Sequence, residues 1–208
     1  MYLSKLELNP RSRRARQEVA HPYQMHRTVM SLFPEFEADD RDRILFRVDT
    51  NPRPGQINLL IQSDIRPDFA ELISGSDYCE SEPLWKEYTP VVNAGQQRYF
   101  RLRANPTIKS SGKRIGIIDE DRQEQWLNRK ADLGGFRVDS FSISAEGMRK
   151  EVKRSPEVSI EISLLSVLFE GVLEVVEPKR FLETLSAGIG SGKGLGFGLL
   201  SIAPHKGE

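Results

Sequence analysis

The chain has 208 residues, with 30 Lys plus Arg balanced by 30 Asp plus Glu, a hydrophobic fraction of 38% and a charged fraction of 29%. That composition belongs to an ordinary globular protein and excludes a disordered chain, while no apolar run approaches the ~20 residues of a membrane-spanning helix. A single cysteine, Cys79, excludes an intrachain disulfide and fits a reducing cytosol, and the start MYLSKLELNP lacks the apolar core of an export signal.

Taken in chain order, YLSKLEL is a first strand, followed by an arginine-rich connection and a helix from about Pro22 to Phe33. The helix carries Met25, Val29, Leu32 and Phe33 as one apolar stripe, and Pro34 closes it. RILFRVD and QINLLIQ alternate as strands around an NPRPG turn, a short helix follows near Pro67 to Ser74, and a strand within LWKEYTPVV completes β-α-β-β-α-β. The second half repeats that order. RYFRLRANP is a strand ended by Pro106, and Asp119 caps a helix running through Trp126 to Leu133, with Gly134 and Gly135 as its stop. FRVDSFSI and ISLLSVLFEGVLEV are strands, Glu177-Pro178 opens the last helix, and FGLLSIA is the last strand. The expectation is an α+β fold of two tandem ferredoxin-like βαββαβ domains, 1–93 and 97–208, the architecture of RNA-recognition modules. Between the second and third strands of the second half, SAEGMRKEVKRSPEVSI is too long for a simple turn and reads as a basic hairpin or mobile loop.

Zero net charge does not exclude a polyanionic partner, because the charges are segregated. Arg11, Arg13, Arg14 and Arg16 form one basic run, and Arg149, Lys150, Lys153 and Arg154 another. Acidic patches lie at Glu35, Glu37, Asp39, Asp40 and Asp42 and at Asp77, Glu80, Glu82 and Glu87. A polyanion responds to the local potential rather than to the total.

The stretch GIGSGKGLGFG holds six glycines in eleven residues. It fails the Walker pattern, since Ala187 and Gly194 stand where glycine and Ser or Thr are needed, and in no register does it give the dinucleotide spacing G-x-G-x-x-G. A nucleotide-binding enzyme is therefore disfavoured. His21, His26 and His205 have no zinc spacing, and one cysteine supplies no thiolate cluster, so neither a metal nor a cofactor is expected. In YQMHR, Tyr23, His26 and Arg27 stand at i, i+3 and i+4 on neighbouring parts of one helical face. Imidazole moves protons near neutral pH and a guanidinium holds phosphate, whereas a phenol is a poor base there and serves by hydrogen bonding.

The chain resembles the CRISPR RNA-processing endoribonucleases of the RAMP superfamily, in particular the E-type (CasE-like) subunit of Cascade. MYLSK at the start, YQMHRTVMSLFP at 23–34 and RYFRLRANPT at 98–107 carry the resemblance. So does the glycine stretch, which reads G-h-G, five residues including Lys193, then G-h-G, where h is hydrophobic. The resemblance spans essentially the whole chain. It implies a metal-independent endoribonuclease that cuts CRISPR precursor RNA at the 3′ base of the repeat hairpin. Attack by the ribose 2′-OH would leave a 2′,3′-cyclic phosphate and a 5′-OH, with the enzyme staying bound to the product. His26 is the expected acid–base residue and Tyr23 its catalytic companion, while Arg27, Lys150 and Lys153 are alternatives for stabilising charge at phosphorus. Arg27, Arg101, Arg103, Arg149, Lys150, Lys153, Arg154, Gly190, Gly192, Lys193 and Gly194 are the expected RNA contacts. Other Cascade subunits are expected partners, with no membrane, a cytoplasmic location and a monomer in isolation. A non-catalytic RAMP-type RNA-binding subunit is the alternative, and His26→Ala separates the two.

Overall fold

The computed structural model describes residues 1–33, 44–50, 55–110, 112–154 and 159–205, with backbone alone at 113, 151–154, 159 and 160. The acidic patch at 35–42 lies outside the described residues. Two compact units emerge: Met1–Thr89 with Gly194–Gly196, and Pro90–Lys193 with Phe197–Glu208.

The first unit runs β1 (Tyr2–Leu8), α1 (Arg13–Ala20), α2 (Pro22–Ser31), β2 (Leu45–Thr50), β3 (Ile57–Ser63), α3 (Ala70–Ile73) and β4 (Leu84–Glu87). Its sheet has the order β2-β3-β1-β4 and every pairing is antiparallel. Alternation along β1 and β3 puts Leu6 opposite Leu59, and these pack with Met25, Val29, Phe46 and Ile61 into the core. Where the sequence was expected to give only an arginine-rich connection, α1 forms. Ser12 accepts a hydrogen bond from the Ala15 N–H as its N-cap, and Ala15 and Glu18 are its buried positions. Helix α2 stops at Ser31, short of Phe33, because Pro34 disfavours helical geometry at the residue before it.

The second unit runs β5 (Gln97–Ala104), β6 (Thr107–Ser110), β7 (Lys113–Gly116), α4 (Glu120–Leu133), β8 (Phe136–Arg154), β9 (Ser159–Val175), α5 (Pro178–Ala187) and β10 (Leu200–Pro204). The main sheet is ordered β10-β5-β9-β8, and β6 and β7 form a separate two-stranded hairpin. Asp119 caps α4 as expected, accepting from the Arg122 N–H at 3.0 Å. Trp126 stacks on Phe169 at 6.0 Å and Phe136 meets Phe181 edge-on at 5.6 Å, which fixes α4 and α5 on the sheet. In each unit the order follows the antiparallel βαββαβ plan, so the tandem ferredoxin-like expectation agrees with the structure. Of the two expectations for the basic stretch, the structure takes the hairpin, built as an extension of the main sheet. Strands β8 and β9 themselves continue outward, paired from Phe136↔Val175 to Arg154↔Ser159 with register shifts at Val138/Ser140 and Ala145/Gly147. No helix among the described residues is long and apolar enough to cross a membrane.

Candidate functional site

In the first unit, Pro22 occupies the start of α2, where a missing N–H costs nothing, so the helix begins one residue before Tyr23. Its helical rise brings the Tyr23 and His26 rings to 6.2 Å between centroids with 27° between their planes. Both rings are half-buried, His26 Nδ1 is shielded from solvent, and Arg27 next to it is exposed. Gly194 clusters with this unit, and a Cβ built there would lie 3.5 Å from His26 Cε1. A glycine backbone without a side chain therefore borders the imidazole.

Helix α2 is braced from α1 by a network that sequence reasoning missed. Glu18, only 7% exposed, accepts from Arg14 Nε at 2.8 Å and from the Tyr78 hydroxyl at 2.6 Å. Arg14 also donates from Nη2 to Thr28 Oγ1 on α2 at 3.2 Å. Burial first, and then the bond to Glu18, push the Tyr78 phenol far above its ordinary range, so it stays a hydrogen-bond donor. The i,i+4 pair Arg14–Glu18 was a visible signal, but nothing near it in sequence pointed to Tyr78.

The second unit distributes the expected RNA contacts unevenly. Arg101 pairs with Glu170 at 2.6 Å, and both side chains are well exposed. Arg103 is 6% exposed, and its fork is committed to Glu146 through two bonds of 2.7 Å, rather than lying open to a ligand. Arg149 is half-buried, 4.0 Å from Glu146, and Lys150 is exposed. Burial first, then the Arg103 charge, bring the Arg149 guanidinium below its usual value. The side chains of Lys153 and Arg154 lie outside the described residues.

The glycine loop is shaped by its glycines. Gly190, Gly192 and Gly198 have φ of 86°, 82° and 85°, a region side chains rarely enter. The Gly190 backbone also lies so close to Trp126 that a Cβ would come within 3.2 Å of the indole. The Ile189 N–H bonds to the Gly198 carbonyl at 2.9 Å, and Ile189 and Phe197, at 4% and 1% exposed, anchor the loop in the unit. Lys193 is half-buried and Gly194 exposed.

Other cations sit near Lys193 that the sequence did not single out. Burial first, then Arg129, Lys193 and Arg114, bring the Lys130 ammonium below its ordinary value, so four cations from α4, β7 and the loop share one region. Lys130 also lies 5.9 Å from the centroid of Trp126, the ring against which Gly190 packs. Among the described residues no group of three or more His, Cys, Asp or Glu side chains is placed to hold a metal ion. His205 instead packs on Tyr99 at 4.7 Å.

A family model described as CRISPR associated protein matches residues 1–204. The chain belongs to this CRISPR-associated protein family. The CRISPR-associated endoribonuclease Cse3 of Thermus thermophilus is 38% identical over 219 residues, covering 98% of this chain and 100% of its own length. The Cascade subunit CasE of Escherichia coli is 31% identical over 217 residues, with the same coverage of 98% and 100%. A structure of CRISPR endoribonuclease Cse3 bound to a 19 nt RNA matches this CRISPR-associated protein with a TM-score of 0.86 at 37% identity, covering 98% of this chain and 100% of that one.

Proposed function

We propose that this CRISPR-associated protein is a metal-independent endoribonuclease that cleaves CRISPR precursor RNA at the 3′ base of the repeat hairpin. The observation that carries this reading is the Tyr23–His26 pair on α2, with His26 half-buried beside the backbone of Gly194. Full-length similarity to an endoribonuclease supports it.

The ribose 2′-oxygen attacks the adjacent phosphorus, its proton is taken up, the P–O5′ bond breaks, and O5′ receives a proton. The products are a 2′,3′-cyclic phosphate and a 5′-OH. His26 moves the proton, since imidazole both accepts and donates near neutral pH. Tyr23 hydrogen-bonds the nucleophile or a phosphate oxygen. Arg27, exposed beside them, supplies positive charge to the phosphorane. The RNA stem is held by Arg149, Lys150 and the outer β8–β9 arm, to which Lys153 and Arg154 belong, and its phosphates by Lys193 with the loop backbone at Gly190, Gly192 and Gly194. The product stays bound, and the protein acts in the cytoplasm with other Cascade subunits, a role supported by its likeness to CasE.

Single-turnover cleavage of the repeat RNA tests this reading. His26→Ala is expected to slow cleavage by at least about 10²-fold while RNA binding persists. EDTA leaves the wild-type rate unchanged. Cleavage by His26→Ala at the wild-type rate removes His26 from the chemistry, and a wild type that binds but never cuts makes this a non-catalytic RNA-binding subunit.

A further inference from the structure

We propose that Glu146 and Arg103 are positioning residues for RNA binding: their pairing sets the direction in which the outer β8–β9 arm presents Arg149 and Lys150 to RNA phosphates. This rests on the RNA-binding reading above, and it reassigns Arg103 from a direct contact to a brace.

The main sheet narrows toward the outer ends of β8 and β9. Strand β5 pairs with β9 only as far as Ala104↔Val167, whereas β8 and β9 stay paired out to Arg154↔Ser159. Beyond Val167 the sheet is therefore a two-stranded ribbon on this side, and such a ribbon twists and bends easily. Ser166 is the first β9 residue past the end of the β5 pairing, and its partner across the ladder is Gly147. At that rung the register shifts between Ala145 and Gly147, so Glu146 is the extra residue of a bulge, and Gly147 takes a φ of +90°.

The bulge re-aims the Glu146 carboxylate across the strands. It accepts the Arg103 fork from β5 through two bonds of 2.7 Å and the Ser166 hydroxyl from β9 at 2.5 Å. Three strands are thus tied where the ribbon leaves the sheet, next to a second tie in which Asn105 Oδ1, just past β5, accepts from the Leu165 N–H at 3.0 Å. Arg103 is 6% exposed and Ser166 is fully buried, so their ends of the tie are sheltered from water, while Glu146 itself reaches the surface. Arg149 lies three residues beyond, 4.0 Å from the same carboxylate.

The sign of the charge makes the case. A carboxylate at the root of a basic arm opposes a polyanion, so for affinity alone a neutral residue would serve better at Glu146. Geometry gives it a reason to be there. Replacing it leaves the covered Arg103 guanidinium without its fork partner and frees the ribbon to swing.

The experiment measures the Kd for the repeat stem-loop RNA, across salt concentrations, with Glu146→Gln, Arg103→Gln, their double variant and Ser166→Ala. Thermal melts establish that each protein is folded at the assay temperature. Positioning predicts that Glu146→Gln weakens binding, by roughly tenfold, although it removes a negative charge. Arg103→Gln weakens it similarly, the double variant is no worse than the weaker single, and the salt slope becomes shallower as arm contacts are lost. Ser166→Ala, which removes one bond of the tie, weakens binding in the same direction by less. Binding that is unchanged or tighter in Glu146→Gln, with Arg103→Gln weaker, overturns the proposal and makes Arg103 a phosphate ligand. If Glu146→Gln does not fold, unchanged binding by Ser166→Ala overturns it instead. Lys150→Ala reports separately on direct contact: a wild type that binds no repeat RNA, or a Lys150→Ala loss without any effect at Glu146, separates failure of the RNA reading from failure of the brace.

Discussion

Gly171 on β9 shows how far a single residue is dictated by its neighbours. The register shift between Val138 and Ser140 carries the β8 backbone over it, and a Cβ built on Gly171 would fall inside the Ser140 carbonyl oxygen and against Phe141. Backbone cannot yield there as a flexible side chain would. Gly171→Ala is expected to destabilise the fold by about 3 kcal/mol and to lower the melting temperature by about 5 °C or more. Calorimetry checks this: a wild-type melting temperature in Gly171→Ala would mean that the β8 backbone yields to the added methyl group. In the sequence Gly171 looked like any glycine in an apolar run, because the clash comes from a strand some thirty residues away. Tyr23 and His26 were legible for the opposite reason: a helix three turns long fixes i, i+3 neighbours without reference to the rest of the chain. Arg103 was misleading. Its β-alternation places it with Arg101 on one face, but only the fold brings Glu146 across to cover it.

At the scale of elements, periodicity found the long strands and the helices α2, α4 and α5, and it missed α1 and the β6–β7 hairpin. Helix α1 is anchored by Ser12 and by the Glu18–Tyr78 bond rather than by a broad apolar stripe. The β6–β7 hairpin has four residues in each strand, too few for alternation to stand out. The β8–β9 arm was legible as basic and hairpin-like, but the bulge that aims it was not. That bulge has a measurable signature in pH. Burial alone would raise the Glu146 carboxyl, but the bond and charge of Arg103, followed by the Ser166 hydroxyl and Arg149, outweigh it and hold it below the ordinary glutamate value of 4.5. A carboxyl depressed in the folded state stabilises the fold above its unfolded value, and that stabilisation is lost as pH falls through the folded one. Urea unfolding from pH 7 downward is therefore expected to show a steeper loss of stability below about 4.5 in the wild type than in Glu146→Gln. Parallel acid limbs would mean that the fork with Arg103 contributes nothing to stability.

For the molecule as a whole, the repeated element order was legible because both halves obey the same alternation of strand and helix periods, and the sheet orders follow from that plan. Net charge was the least informative number in the sequence. A chain with a formal charge of zero gathers Arg114, Arg129, Lys130 and Lys193 closely enough that three of them disfavour the charge on the fourth. Mutual repulsion of this kind is relieved when phosphates enter, and the counterions released in exchange give binding a steep dependence on salt. The expected result is a linear fall of log K with log salt concentration for the repeat RNA, as for a protein of far higher net charge. Lys193→Ala and Lys130→Ala should each weaken binding and flatten that slope by about one. The same substitutions act on electrostatics common to any RNA strand, so they should weaken a scrambled stem-loop as much as the true repeat. If Lys130→Ala leaves both the affinity and the slope at wild-type values, the four cations are a solvated surface rather than part of the interface.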